Sequence, residues 1–111
     1  MNGDLIPRNV TLWRDSSDRL TCSCDGIEAA AYATVCRALS NNFGLEPEGE
    51  SIDGFDVMFQ DYVHGRGLVG LEWDVWLGFM AVAKTADTEP LIQSIAQWLS
   101  RNQVESPKTS S

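Results

Sequence analysis

Glu72 and Asp74 form the first pair of side chains in the sequence that could do acid–base chemistry. A strand rises about 3.3 Å per residue, so two carboxyls two residues apart would lie on one side, roughly 7 Å from each other. That separation suits the paired acids of a glycoside hydrolase. Same-side pairs are also common on strands without any catalytic role, and a chain of 111 residues leaves little room for a substrate cleft. A small hydrolase using Glu72 and Asp74 therefore remains only an alternative.

Histidine and cysteine chemistry has few candidates in this chain. His64 is the single histidine, and it falls in a glycine-flanked turn, 64–67, where exposure is expected rather than activation. Cys22 and Cys24 face the same way on a predicted strand, and Cys36 on the next helix would complete a three-cysteine metal site. Small buried thiols are the favoured interpretation. We therefore expect no catalytic residues, no metal and no cofactor.

Carboxylates beside aromatic residues are the remaining functional signal. The segment from residue 38 to 63 contains no Lys, Arg or His, and its acids continue into the run Leu71–Phe79, which also holds Trp73 and Trp76. Negative charge steers a positive partner into contact, and an exposed aromatic ring supplies buried contact area. The predicted partner-binding residues are Glu48, Glu50, Asp53, Asp56, Glu72, Asp74 and Trp76.

The net charge of -8 limits the classes of partner. Nucleic acids and anionic membranes both require clusters of Lys and Arg, so neither is expected to bind. No apolar run approaches the roughly 20 residues of a membrane helix, and the N-terminus lacks the pattern of a signal peptide. An odd number of cysteines indicates free thiols, which suits a reducing cytoplasm. The composition favours a cytoplasmic chain that binds a basic protein surface.

Two strands and a helix are predicted for the first part of the chain. Alternating apolar residues around 10–12 and 20–24, separated by turn residues, indicate an opening hairpin. Asp25 is a suitable helix N-cap, and Glu28 lies three residues later, as in a capping box. The helix is predicted to span 26–42 and to end at Gly44 in the left-handed conformation. The Gly- and Glu-rich stretch 44–54 is predicted to be a loop.

Three strands and a second helix are predicted for the rest. The first strand is expected to bury Phe55, Val57, Phe59 and Val63 on its inner face, and the second Val69, Leu71, Trp73 and Val75. A turn at 74–78 leads to a strand at 79–83. The last helix begins at Asp87 or Thr88 and buries a stripe formed by Leu91, Ile92, Ile95, Ala96 and Leu99.

These elements predict a single α+β domain over 1–102, followed by a disordered tail at 103–111. Its expected form is two layers, with an antiparallel sheet of about five strands in the order β-β-α-β-β-β-α and both helices on one face. The other face would be partly open, with Met58, Tyr62 and Trp76 as candidates to line it or its rim.

A class-level resemblance accompanies these features. The run Gly65-Arg66-Gly67-Leu68-Val69-Gly70-Leu71-Glu72-Trp73-Asp74, followed by Trp76, Gly78-Phe79 and a C-terminal helix, looks like small bacterial domains. In size and acidity the chain also resembles the immunity proteins of bacterial toxin systems. The resemblance implies an inhibitor that covers a toxin's active site with a complementary, usually acidic, surface, and it transfers no functional positions.

We therefore expect a non-enzymatic protein-binding module of the immunity or inhibitor type. The alternative from another class is a small acidic secretion chaperone, which would be dimeric and bind extended segments of its client. A measurement of molecular size separates the two, because an obligate dimer favours the chaperone.

Overall fold

A six-stranded antiparallel sheet, covered on one face by two helices, forms the fold. The computed structural model describes residues 10–54 and 56–102. The predicted α+β class is confirmed, with six strands rather than five. Residues 1–9, the predicted tail at 103–111 and Phe55 lie outside the described residues. The strands are β1 Val10–Arg14, β2 Leu20–Cys24, β3 Glu46–Asp53, β4 Val57–His64, β5 Gly67–Asp74 and β6 Gly78–Ala83; the helices are α1 Tyr32–Phe43 and α2 Glu89–Arg101.

The strand register defines two ends of the sheet. The strands lie in the order β1-β2-β6-β5-β4-β3, with every neighbouring pair antiparallel. One end carries the β3–β4 and β5–β6 turns, and we call it the Asp74 end; the other carries the β1–β2 and β4–β5 turns, and we call it the His64 end. A row of neighbouring residues crosses the sheet near the Asp74 end: Val10, Cys24, Phe79, Trp73, Met58 and Asp53.

The core lies between the sheet and the helices. The stripe predicted for the last helix is buried in full, with Trp98 at its edge, and α1 buries Val35, Cys36 and Leu39. Alternate residues of β2, β5 and β6 face these helices in one apolar cluster. Both helices therefore cover the same sheet face, as predicted. Among the described residues, no helix is long and apolar enough to cross a membrane.

The start of the first helix differs from the prediction. A single 3-10 turn, Ala29–Ala31, precedes α1, and Asp25 is an exposed loop residue with no capping role. Ile27 is buried instead, and its carbonyl accepts a 2.8 Å hydrogen bond from Trp73 Nε1. Burying this apolar residue against β5 holds the loop in place of a helical turn. The predicted end is confirmed, since Gly44 caps α1 with φ +70°.

The two faces of β4 are the reverse of the prediction. Met58 and Tyr62 are buried in the core, whereas Val57 and Phe59 are exposed on the opposite face. Both alternating sets contain apolar residues, so the pattern by itself does not choose a face. Pairing with β5 chooses it, because Met58 lies opposite the buried Trp73 and Tyr62 lies opposite Val69.

The predicted loop at 44–54 is largely the edge strand β3. All eight of its residues are exposed, which explains why no buried periodicity marks it. Its pairing with β4 is interrupted between Glu48 and Ile52, where the Gln60 side-chain amide donates hydrogen bonds to the carbonyls of Glu48 and Gly49 at 3.2 and 3.1 Å. Val75, predicted to face inward, is exposed in the β5–β6 turn.

Gly78 should be the least replaceable residue of the β5–β6 turn. Its φ is +77°, and a Cβ there would lie 2.9 Å from the Cys24 carbonyl oxygen. The left-handed backbone costs about 1–2 kcal/mol for a side-chain-bearing residue, and displacing a backbone carbonyl adds a cost of similar size. Gly78→Ala is expected to lower the free energy of unfolding in urea by about 3 kcal/mol.

Gly65→Ala provides the matched control. Gly65 also has a positive φ, +63°, but a Cβ there would meet open space. This variant should lose only about 1–2 kcal/mol, the cost of the backbone conformation. Equal losses in the two variants would contradict the close approach of the turn to Cys24.

Candidate functional site

Trp76 is the most exposed large apolar side chain among the described residues. It is 82% accessible, and its neighbours Val75 and Leu77 are 54% and 41% accessible. The turn that carries it is well ordered by hydrogen bonds: Oδ1 of Asp74 accepts the backbone N–H groups of Trp76 at 2.9 Å and Leu77 at 2.6 Å. A large ring held outward by a fixed turn is typical of a binding surface.

A groove of about 450 Å³ lies beside this turn, between it and the loop that precedes α1. The hydrogen bond from Trp73 Nε1 to the Ile27 carbonyl ties the two walls together at the base. The groove is lined by Asp25, Gly26, Ile27, Glu28, Ala29 and Ala30 on one side and by Trp73, Asp74, Val75, Trp76 and Gly78 on the other. Its walls are mostly apolar, and three carboxylates stand among them.

Several acids meet at the Asp74 end. Of the predicted partner-binding residues, the structure brings Asp53, Asp56 and Asp74 to this end with Trp76. The Val75 N–H donates a 3.2 Å hydrogen bond to the Asp56 carbonyl, which joins the two turns directly. We call the surface formed by Asp25, Glu28, Asp53, Asp56, Asp74 and Trp76 the acidic end surface.

Asp25 and Glu28 were missed as site residues by the sequence reasoning. Both are exposed and line the groove. Their spacing was interpreted as a capping box, which assigned them a purely structural role. The signal that could have found them is Ile27, because an apolar residue between two acids indicates a loop folded onto the core.

The other predicted site residues lie elsewhere. Glu48 and Glu50 are exposed on β3, away from the groove, and Glu72 lies on the open sheet face. The acids predicted as one surface therefore divide between the acidic end surface, the edge strand and the open face.

Cations concentrate at the opposite end of the sheet. Arg14 and Arg19 flank the β1–β2 turn, Arg66 lies in the β4–β5 turn, and Lys84 follows β6. The other two arginines within the described segments, Arg37 and Arg101, lie on the helices. Within 10–54 and 56–102, no cation lines the groove. The charged groups described there are all carboxylates, which suits the attraction of a basic group.

The open sheet face carries a row of paired charges. Lys84 Nζ lies 3.1 Å from Asp61 Oδ1, and this ion pair compensates an oxygen atom that no hydrogen bond reaches within the described structure. Gly70 lies beneath the Lys84 side chain, and a Cβ at this position would be only 2.8 Å from Lys84 Cε. Because glycine has no side chain, Lys84 can extend across the sheet to Asp61. Glu72 is half-buried beside this pair.

Burial raises the pKa of the Glu72 carboxyl above its ordinary value, and nearby Lys84 and Arg19 partly oppose that shift. Asp74, the other member of the predicted pair, is on the same face but uses its Oδ1 to hold the turn. The groove includes Asp74 and not Glu72. The structure therefore separates their environments instead of focusing both carboxyls on one cavity.

The cysteines and the histidine are placed away from the groove. Cys22, Cys24 and Cys36 are buried and form no disulfide with one another, as expected for core thiols. Burial raises the pKa of Cys22 to about 12 and of Cys36 to about 11, which disfavours the thiolate that a metal or a nucleophilic mechanism needs. His64 ends β4, at the other end of the sheet from Asp74. Within 10–54 and 56–102, no group of three or more His, Cys, Asp or Glu residues is arranged to hold a metal ion.

Comparison of the chain with known protein families, with curated proteins and with solved structures finds no match. The functional argument therefore depends on the geometry of the acidic end surface.

Glu72→Gln should reveal the cost of holding a charged carboxylate on the open face. A raised folded-state pKa makes the native protein less stable as pH rises from the ordinary glutamate value of 4.5 through the raised value. The variant removes this loss, so at neutral pH it should have a larger free energy of unfolding than the wild type. Well below pH 4.5 the Glu72 carboxyl is protonated in both the folded and the unfolded state, and the difference should disappear.

Urea unfolding of both proteins across this pH range is the measurement. Glu50→Gln, on the exposed edge strand, is the matched control and should stay within about 0.5 kcal/mol of the wild type throughout. A Glu72→Gln variant that is less stable at neutral pH would show that its ion pairing outweighs its burial.

Proposed function

We propose that this protein is a non-enzymatic binding module of the immunity or inhibitor type, which neutralises a toxin domain through the acidic end surface. The observation that carries the proposal is Trp76, 82% accessible in a hydrogen-bonded turn and surrounded by carboxylates. Tryptophan is the residue type that most often dominates binding energy when it enters a pocket of a partner. The hydrogen bonds to Asp74 fix the backbone of the turn, so ordering that backbone adds little to the cost of binding.

The negative charge of the protein also supports the proposal. The protein has a net charge of -8, and the described residues that form the walls of the groove beside Trp76 are acidic or apolar. Such a surface increases the rate of association with a basic partner and disfavours acidic ones. A toxin domain that acts on nucleic acid would need Lys and Arg at its active site, and the charge of an acidic surface is complementary to such a site.

The three buried cysteines, which form no disulfide with one another, support a location in the reducing cytoplasm. An inhibitor that protects its own cell must be present where the toxin would act, so this location suits the immunity role.

Removal of the Trp76 side chain is the direct test. The products of the reading frames that flank the gene are the partner candidates, and each is co-expressed with the chain and assayed for toxicity without it. For a product that the chain neutralises, Trp76→Ala should weaken binding at least about 30-fold, or about 2 kcal/mol, in titration calorimetry. Leu12→Ala changes an exposed apolar residue of β1 that lies beside α2, outside the groove, and should have no effect.

Charge-reversal variants show which part of the surface attracts the partner electrostatically. Asp56 lies at the Asp74 end, and Glu46 lies at the opposite end of β3. The variants Asp56→Lys and Glu46→Lys therefore change the net charge equally but at different places. Only Asp56→Lys should reduce the association rate and flatten its salt dependence. If both variants have the same effect, overall charge alone attracts the partner. If the chain neither binds nor neutralises any product of the flanking reading frames, the immunity role is contradicted.

A secretion chaperone is the second candidate because of a different surface. Ile52, Val57 and Phe59 are 43%, 40% and 38% accessible and lie together on the open sheet face. An apolar sheet face of this kind can hold an extended client segment or a second copy. Light scattering distinguishes the candidates: a stable dimer that Phe59→Arg converts to monomer favours the chaperone, whereas a wild-type monomer favours the inhibitor.

A further inference from the structure

We infer that the groove beside Trp76 holds an arginine side chain of the partner protein, an inference that deepens the proposed function and rests on it. The groove combines two tryptophans, Trp73 and Trp76, with the carboxylates of Asp25, Glu28 and Asp74 in about 450 Å³. Its volume falls in the range of cavities that hold small ligands. The planar guanidinium group fits both features of this wall, the aromatic rings and the acids.

The two tryptophans have different roles in the groove. Trp73 is 9% accessible, and its indole N–H is occupied by the Ile27 carbonyl, so it contributes ring surface to the base. Trp76 is exposed and forms the outer wall. Cations bind over tryptophan faces more strongly than over any other ring, and arginine does so more often than lysine.

The carboxylates add directional acceptors. Asp74 uses Oδ1 for the turn, and within the described part of the chain no hydrogen bond is formed by its Oδ2. Asp25 stands on the opposite wall of the groove. A guanidinium group presents five N–H donors in one plane and pairs with carboxylates through two parallel hydrogen bonds. An ammonium group is compact, strongly hydrated and cannot stack, so a lysine would use the acids and gain less from the rings.

Other occupants fit less well. An apolar side chain would gain nothing from the negative charge of Asp25 and Asp74. A second copy would bring its own acidic end surface against this one, and none of the described residues that line either groove is a cation that could offset the repulsion. The charge and the aromatic walls together select a cationic, planar group.

The test uses the whole protein and a defined probe, Nα-acetyl-arginine methylamide. In a two-dimensional ¹H–¹⁵N NMR spectrum, the Trp76 indole signal should shift and saturate as the probe is added. The lysine derivative should bind more weakly, and the citrulline derivative, which keeps the planar shape but has no charge, should bind more weakly still. Trp76→Ala, followed through the Gly26 amide signal, should weaken binding about two- to fivefold.

Asp25→Asn and Asp18→Asn form the matched pair of charge variants. Asp25 lines the groove, whereas Asp18 is exposed in the β1–β2 turn with φ +63°, a conformation that asparagine accepts. Only Asp25→Asn should weaken binding of the arginine derivative. Equal affinity for the arginine and citrulline derivatives would overturn the inference, as would shifts at the groove that depend on protein concentration without any probe.

This experiment separates the inference from the proposed function. If Trp76→Ala abolishes binding of a toxin but the arginine derivative moves no groove signal, the inference fails and the proposed function stands. If the arginine derivative binds as described but Trp76→Ala leaves the affinity for the partner unchanged, the proposed function fails and the preference of the groove for guanidinium stands.

Discussion

The antiparallel register is the constraint on which the remaining structure depends. Each strand of the β3–β4–β5–β6 run reverses direction, so the turns that follow β3 and β5 must lie at the same end. The β2–α1 loop arrives there as well, because β2 pairs with β6. Acids that are about 50 residues apart in the chain, such as Asp25 and Asp74, thereby become the two walls of one groove. Shifting β5 by a single residue against β4 and β6 would turn Trp73 away from the helices and remove the base of that groove.

One hydrogen bond connects this register to the site. Trp73 lies in the core row of the sheet, and its Nε1–H reaches the Ile27 carbonyl in the loop before α1. A buried indole N–H without an acceptor costs about 1–3 kcal/mol, so the loop cannot leave β5 without a penalty. The same contact explains why α1 begins late, since residues 25–28 form a turn and a short loop that are held against the strand. Stability of the core and the shape of the groove therefore depend on a shared interaction.

The sequence predicted those parts of the fold that have a single apolar face. α2, β5 and the hairpin turns follow from periodicity and glycine placement, and the end of α1 at Gly44 follows from left-handed capping. The prediction was wrong where hydrophobic periodicity does not distinguish the two faces of a strand. β4 has apolar residues on both faces, and β3 buries none. The exposure of Trp76 was predictable from the turn chemistry around Asp74 and Gly78. The grouping of Asp25 and Glu28 with it was not, because that proximity arises only from the pairing of β2 with β6.

The edge strand β3 has a consequence for solubility. An unpaired strand edge is a template on which a second chain can add, and repeated addition leads to fibrous aggregates. Here the strand carries Glu46, Glu48, Glu50 and Asp53, with Pro47 and a left-handed Gly49 interrupting its regularity. Two such edges would place like charges opposite one another. The acids that lie outside the groove thus act as gatekeepers that keep the sheet from growing into a filament.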